Sequence, residues 1–315
     1  MPVPTITDVQ AVDPVLSGLA VGYMQADNRF VATRVFPPVP VDKDSGTYYT
    51  FTKKYFMVDE MEERAPGQEF PRVGFGLSTS TYTTLQWALS FPLADEVRAN
   101  SQVPMDLEEA GLRLLAQRSL IRKERAFAAD FMTTSVWGTD DNNSTTDWDD
   151  FSAGDPVTDV LTAIRTISMN TGQTANTIVV GHIVHNALIN HPDIIDRVKY
   201  TQQATIGNME GAIAAALGLA NYWPSMASYN TANLGQDFSG SAIIDDDALI
   251  CWVDPSAGVF SATAGKTFVW APGGGLGGVR PYRSEDTDSD VFKYKEQWDQ
   301  VAVATDVGYF FADVV

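Results

Sequence analysis

All three histidines of this 315-residue chain fall in one stretch, GHIVHNALINHPD at 181–193, as His182, His185 and His191, with Asp193 two residues further on. Imidazole and carboxylate are the ordinary ligands of a catalytic zinc or iron, so the stretch raises a metal-dependent hydrolase using His182, His185 and Asp193. The elements that would carry these residues argue against it. TIVV (177–180) is a short β-branched run closed by Gly181, and HIVHNALIN reads as a helix stopped by Pro192. On a helix turning about 100° per residue, His182 and His185 stand about 60° apart, but His191 falls about 180° from His182. One ion cannot collect all three. No HExxH pattern is present either, and solvated or capping histidines are the simpler reading.

The other motifs that could do chemistry fail in the same way, on context. GGGLGG (273–278) matches GxGxxG after the strand-like KTFVW, but a dinucleotide fingerprint needs a helix N-terminus next, and VRPYRSEDTDSD follows with a proline and carboxylates that would repel phosphates. The glycines read as a turn between domains. There is no GK[ST] and no GxSxG. The one cysteine, Cys251, sits in the apolar run ALICWVD and reads as a buried thiol on a strand. A calcium loop begun at Asp140 would put Thr145 where glycine is required and Phe151 where glutamate is required. No catalytic centre, metal or cofactor is expected.

Composition excludes further classes. Forty acidic against twenty-one basic residues give a net charge of −19, which opposes wrapping nucleic acid or docking on an anionic membrane. With 44% hydrophobic residues the chain can bury a large core. No apolar run is long enough for a membrane span, and MPVPTITDVQ has neither the basic start nor the apolar middle of a signal peptide. A soluble protein made in a reducing cytoplasm is expected.

Six of the sixteen prolines fall in residues 1–40 and end in VFPPVPV, which predicts an extended arm around a short helix near 13–24. GTYYTFTKKYF (46–56) and TYTTLQWALSF (81–91) read as two paired strands, the second alternating Leu85, Trp87, Leu89 and Phe91 against polar or small residues. The segment between them, Met57–Ser80, is far longer than an ordinary hairpin loop. Such a two-stranded flap needs a surface to lie on. From Pro104 to Thr133 a long amphipathic helix is predicted, with Leu120, Ile121, Phe127 and Phe131 in one sector and Arg118, Arg122 and Arg125 on another flank. An acidic loop (139–156) follows, then a helix with Asp155 as N-cap, Pro156 at its first position and Gly172 past its end. Beyond it strands and helices alternate, and the chain closes in two strand-like runs joined at Thr305-Asp306.

The order of these parts resembles that of the major capsid proteins of tailed bacteriophages, the Hong Kong 97-type capsid fold. Several segments are similar to one phage branch: NRFVATRVFPPVPVDKDSGTYYTF, RAPG (64–67), FPLADEVRAN (91–100), WDDFSAGDPVTDV and VVGHIVHNALINHPDIIDRVKYT. The resemblance runs over nearly the whole chain. It implies an α+β fold with an N-terminal arm (1–45), an extended β-hairpin loop (46–96), a peripheral domain (97–174) built on a spine helix (104–133), an axial domain (175–283), and return strands of the peripheral domain (284–315). It also makes the HPD turn a joint between two helices, with Asp193 capping the second.

The function implied is self-assembly, through pentamers and hexamers, into an icosahedral shell around double-stranded DNA in a virion put together in the bacterial cytoplasm. Arm and flap would lie on neighbouring subunits. Intersubunit contacts are expected on the flap at Tyr49, Phe51, Lys53, Lys54, Arg64, Leu85, Trp87 and Leu89, and on the spine flank at Arg118, Arg122 and Arg125, where pairing with an acidic neighbour such as DDNNSTTDWDD competes with DNA contact and with a solvated face. Copies of the chain are the main partners, with a separate scaffolding protein, a portal and decoration proteins beside them. The acidic shell would contact DNA only weakly, and no membrane is involved. No self-catalysed cross-link from Lys53 or Lys54 is expected, because residues 291–315 hold no asparagine. An encapsulin-like nanocompartment, which shares this fold, is the alternative.

Overall fold

The computed structural model describes residues 25–51, 57–74, 76–100, 107–141, 147–199, 209–233, 235–254, 258, 263–273, 275 and 277–315. The helix expected near 13–24, Lys53 and Lys54, the spine start at Pro104 and residues 142–146 of the acidic loop lie outside them. The first half of the chain runs α1 (Ala32–Val35), β1 (Pro38–Val41), β2 (Ser45–Phe51), β3 (Leu77–Thr83), β4 (Leu85–Ala94), α2 (Asp95–Asn100), the spine helix α3 (Leu107–Phe131), β5 (Thr139–Asp141) and α4 (Pro156–Thr171). Then come β6 (Thr177–Val180), α5 (His182–Asn190), α6 (Pro192–Val198), α7 (Met209–Leu217), β7 (Asn221–Pro224), β8 (Ser228–Asn230), β9 (Gly240–Ala242) and β10 (Ala248–Cys251). β11 (Gly265–Trp270), β12 (Gly278–Ser284), β13 (Ser289–Ala302) and β14 (Gly308–Phe311) complete the chain.

Two five-stranded sheets organise these elements. One has the order β5-β14-β10-β6-β7. Its central strands, TIVV and ALIC, are buried at every position, as short continuous apolar runs require when both faces are covered. Helix α4 packs over β10 and β14, and α7 over β7. Local signals set the ends of α4: the Asp155 carboxylate accepts from the Thr158 amide at 2.9 Å, Pro156 needs no donor in the first turn, and Gly172 takes the left-handed φ of 70° that a side chain would resist.

The other sheet has the order β1-β11-β13-β12, with β4 on the opposite edge of β13. The spine helix lies across β4 and β13. Gly111 makes that approach possible, since a Cβ there would sit 2.3 Å from the Phe91 ring. Phe127 and Phe131 are fully buried, and Phe36 from the arm packs on both, at ring-centroid distances of 5.6 and 4.6 Å.

Four expectations do not hold. The 81–91 run is not one strand of a flap: β3 pairs with β2, from Ser45↔Thr83 to Phe51↔Leu77, while β4 pairs with β13. The break falls at Thr84, whose amide donates to the Asp44 carbonyl at 2.8 Å while the Thr83 amide turns to the Asp299 carboxylate at 2.9 Å. In the arm, Phe30, Val31, Ala32, Val35 and Phe36 are buried in this chain's own core, and β1 is a strand of its own sheet. The glycine turn joins β11 to β12 within one sheet and does not separate domains. Finally, the division at 283 does not follow the pairing: β11 and β12 belong with β13, and β14 pairs with β10.

Candidate functional site

The seam between the spine helix and the second sheet holds a polar network inside an apolar setting. Glu296 on β13 is 2% exposed, and its Oε1 accepts from Lys123 Nζ at 2.7 Å, from Ser119 Oγ at 2.6 Å and from the Tyr294 hydroxyl. Trp298 Nε1 donates to Oε2 at 3.0 Å. Burial alone would raise the Glu296 pKa, but the Lys123, Ser119 and Tyr294 donors outweigh it and hold the carboxyl below its ordinary value. Burial and the adjacent carboxylate push Tyr294 up to about 12.

One residue along, Glu124 is fully buried and points the other way. Its Oε2 accepts from the Val31 and Ala32 amides, both at 2.9 Å, and its Oε1 from Ser225 Oγ at 2.7 Å. A single carboxylate thus ties the arm, the spine and the strand end after β7. Burial raises its pKa against the pull of those three donors. Sequence reasoning missed both residues, although the signal was there: on a helix Glu124 lies about 20° from Phe131, and Lys123 about 40° from Phe127, inside the apolar sector.

The residues expected at subunit contacts separate into groups. Trp87, Leu89, Arg118 and Arg122 come together, with Leu115 and Ser119, around a groove of about 240 Å³ along the seam. Trp87 stacks on Trp298 at 5.7 Å with the Arg122 guanidinium 3.8 Å from its ring centroid, and Arg125 lies 4.7 Å over Tyr229. Two of the three arginines therefore rest on aromatic rings of their own chain, a cation–π role that the flank pattern did not suggest. Trp87 and Leu89 are half-buried by their own chain, whereas Leu85 is 55% and Tyr49 58% exposed. Arg64 folds back over Phe70 at 4.0 Å and donates to the Gln68 carbonyl. Phe51 ends β2, and Lys53 and Lys54 lie beyond the described residues.

The histidines do not form a site. His185 is buried and shares a 2.8 Å hydrogen bond with the Tyr222 hydroxyl, and burial, with His182 beside it, pushes its pKa down to about 4. His182 is exposed. His191 is the N-cap of α6, its Nδ1 accepting from the Asp193 amide at 3.3 Å with Pro192 next in line. The capping residue is thus His191 and not Asp193, because the residue before Pro192 is the one placed to reach forward to the free amides of the first turn. Among the described residues no three His, Cys, Asp or Glu side chains gather as metal ligands, and no helix is long and apolar enough to cross a membrane. The hydrolase alternative loses its ligands. Cys251 is buried on β10 with its thiol pushed up to about 12.

This architecture is shared with solved structures. A phage-related protein from Bordetella bronchiseptica RB50 matches with a TM-score of 0.69 and 24% identity over 96% of this chain and 97% of that one. The capsid of cyanophage P-SCSP1u matches with a TM-score of 0.57 and 11% identity, over 88% and 85% of the two chains. The chain has the tailed-phage capsid fold. Among curated proteins, the major capsid protein of Burkholderia phage BcepMu is 24% identical over 203 residues, 64% of this chain; the match spans 65% of that relative, just under two thirds of its length. No protein-family model matches the chain.

Proposed function

We propose that this chain is the major capsid protein of a tailed phage, a structural protein that self-assembles through pentamers and hexamers into an icosahedral shell enclosing double-stranded DNA. One observation carries the reading: a capsid-fold chain with a complete core leaves its hairpin and loop uncovered, with Tyr49 58%, Met61 97%, Phe70 72% and Val73 70% exposed. Apolar side chains gathered on a projecting hairpin and loop await a partner surface, and in a closed shell that surface belongs to another copy. The phage relative supports the same reading. The place of action is the virion, and a scaffolding protein, a portal and decoration proteins are its further partners. A net charge of −19 per chain keeps DNA contact weak.

Electron microscopy of the chain expressed alone and together with neighbouring phage genes tests the proposal. Closed shells, DNA-filled when the packaging genes are present, are expected. A chain that stays monomeric under both conditions overturns it, and small shells filled with a protein cargo would establish the encapsulin-like alternative.

A further inference from the structure

The β12–β13 hairpin separates its charges. In the ladder Arg280 stands directly opposite Lys293, and Gly278 opposite Lys295, so the three cations share one face of the sheet. The Lys293 ammonium lies 3.8 Å from the ring centroid of Tyr282 on the same face. These side chains line a groove of about 410 Å³ with no carboxylate in its wall. None of the three has an ion-pair partner among the described residues. Like charges directly across a ladder are unfavourable, and in a chain with forty acidic residues the gathering calls for an anionic partner.

The opposite charge collects at the turn of the same hairpin. The turn carries Glu285, Asp286, Asp288 and Asp290, and it joins the start of α2, which carries Asp95 and Glu96, where the Asp95 amide donates to the Asp288 carbonyl at 3.0 Å. Among the described residues Arg283 and Arg98 are the cations paired with this cluster, and Arg98 is shared with Glu108, so carboxylates remain in excess. Arg283 pairs with Asp95 at 2.6 Å and reaches Asp290 at 3.4 Å, which ties the turn to the start of α2. Four residues of strand, about 13 Å, separate the Arg280 rung from the Ser284 rung. That exceeds the screening length of about 8 Å, so the two poles do not neutralise each other within one chain.

We infer that the basic groove of one copy receives the acidic turn of the next, a head-to-tail contact that closes a ring of copies when its rotation closes. The inference rests on the shell reading and names one of its contacts. The acidic loop Asp59–Glu63 is a rival occupant, but it lies in a long irregular loop, whereas the turn is tied to α2 through Arg283 and the Asp95 amide.

Charge exchange tests this. Arg280→Glu/Lys293→Glu/Lys295→Glu lowers particle yield about tenfold at physiological salt, as does Glu96→Lys/Glu285→Lys/Asp286→Lys, each chain keeping wild-type circular dichroism. Combining both sets in one chain restores particles, which a merely structural role for these residues does not predict. Failure of the combined variant to recover overturns the inference, as does recovery when the groove reversal is combined instead with lysines at 59, 60, 62 and 63, which would make the loop the occupant. Normal particles from the groove variant with loss of nuclease-protected DNA would assign the face to phosphate and also overturn it. If wild-type chain forms no particles, the shell reading itself falls; if wild type and both reversed variants assemble alike, only this inference does.

Discussion

The sheet around β10 and the β2–β3 hairpin divide the molecule into a part that finishes its own packing and a part that does not. β6 and β10 are buried at every position, with α4 packed over β10 and α7 over the neighbouring β7, and the cluster they anchor reaches the arm and the spine. The hairpin is fastened at its root, where Tyr48 and Tyr82 lie 5.7 and 4.5 Å from the Phe268 ring. Further out Tyr49 and Met61 stand in solvent. Damage to the first region should therefore appear as lost chain stability, and damage to the second as lost association.

The largest effect is expected where arm, spine and core meet. Phe131→Ala removes a ring packed against Phe36, Phe127 and Trp137 and leaves a cavity in a fully buried site, costing about 3–5 kcal/mol. Urea unfolding of the unassembled chain measures it. A cost below about 1 kcal/mol would mean that this junction is not part of the self-sufficient region.

Glu124→Ala comes next, at about 2–3 kcal/mol, because it strands two buried amides and the Ser225 hydroxyl together. Glu124→Gln should recover part of the loss, since its carbonyl oxygen can still accept from one side. Hydrogen exchange localises the effect: loss of Glu124 should speed exchange at Val31 and Ala32 before the β10 sheet changes. Uniform acceleration over the chain would show that the carboxylate does not hold the arm in particular.

Legibility in the sequence follows the same division, by distance along the chain. The ends of α4 were readable because Asp155, Pro156 and Gly172 act on amides and carbonyls within one turn. The buried runs of β6 and β10 and the terminal pair β13 and β14 were readable as strands from composition. Their partners were not. The break at Thr84 depends on Asp299, more than two hundred residues away, and nothing in TYTTLQWALSF marks it. The placement of β14 beside β10 is likewise a non-local pairing. Of the site, the Trp87 and Leu89 face was visible as alternation, while Lys123 and Glu124 were hidden by the assumption that charged residues on a helix face water.

A smaller effect separates the regions by pH. Burial pushes Asp247 up from 3.8 to about 6, with Asp246, Asp313 and Asp245 adding to it and the Asp313 amide opposing. Because the folded value lies above the unfolded one, the folded chain holds the extra proton between about pH 4 and 6, and stability falls as pH rises through that window. Asp247→Asn should remove this decline and raise stability at pH 7.5 by about 1 kcal/mol, allowing for partial exposure. The variant's melting temperature should rise by about 2 °C at pH 7.5 and stay unchanged at pH 4. An equal change at both pH values would place the effect in packing.

The smallest effect on the chain should be the most telling for assembly. Leu85 sits where β4 leaves Thr84 and pairs across the ladder with Trp298, yet it is 55% exposed. Leu85→Ser should therefore change the unfolding free energy of the isolated chain by no more than about 0.5 kcal/mol. If another copy covers this side chain, burying its exposed part contributes about 1 kcal/mol at each contact. Every subunit of a closed shell makes the contact, so a modest loss per site raises the concentration needed for assembly about fivefold. Light scattering against protein concentration reads that threshold directly. An unchanged threshold with unchanged stability would show that Leu85 faces solvent in the particle too, and would confine the interface to the hairpin beyond it.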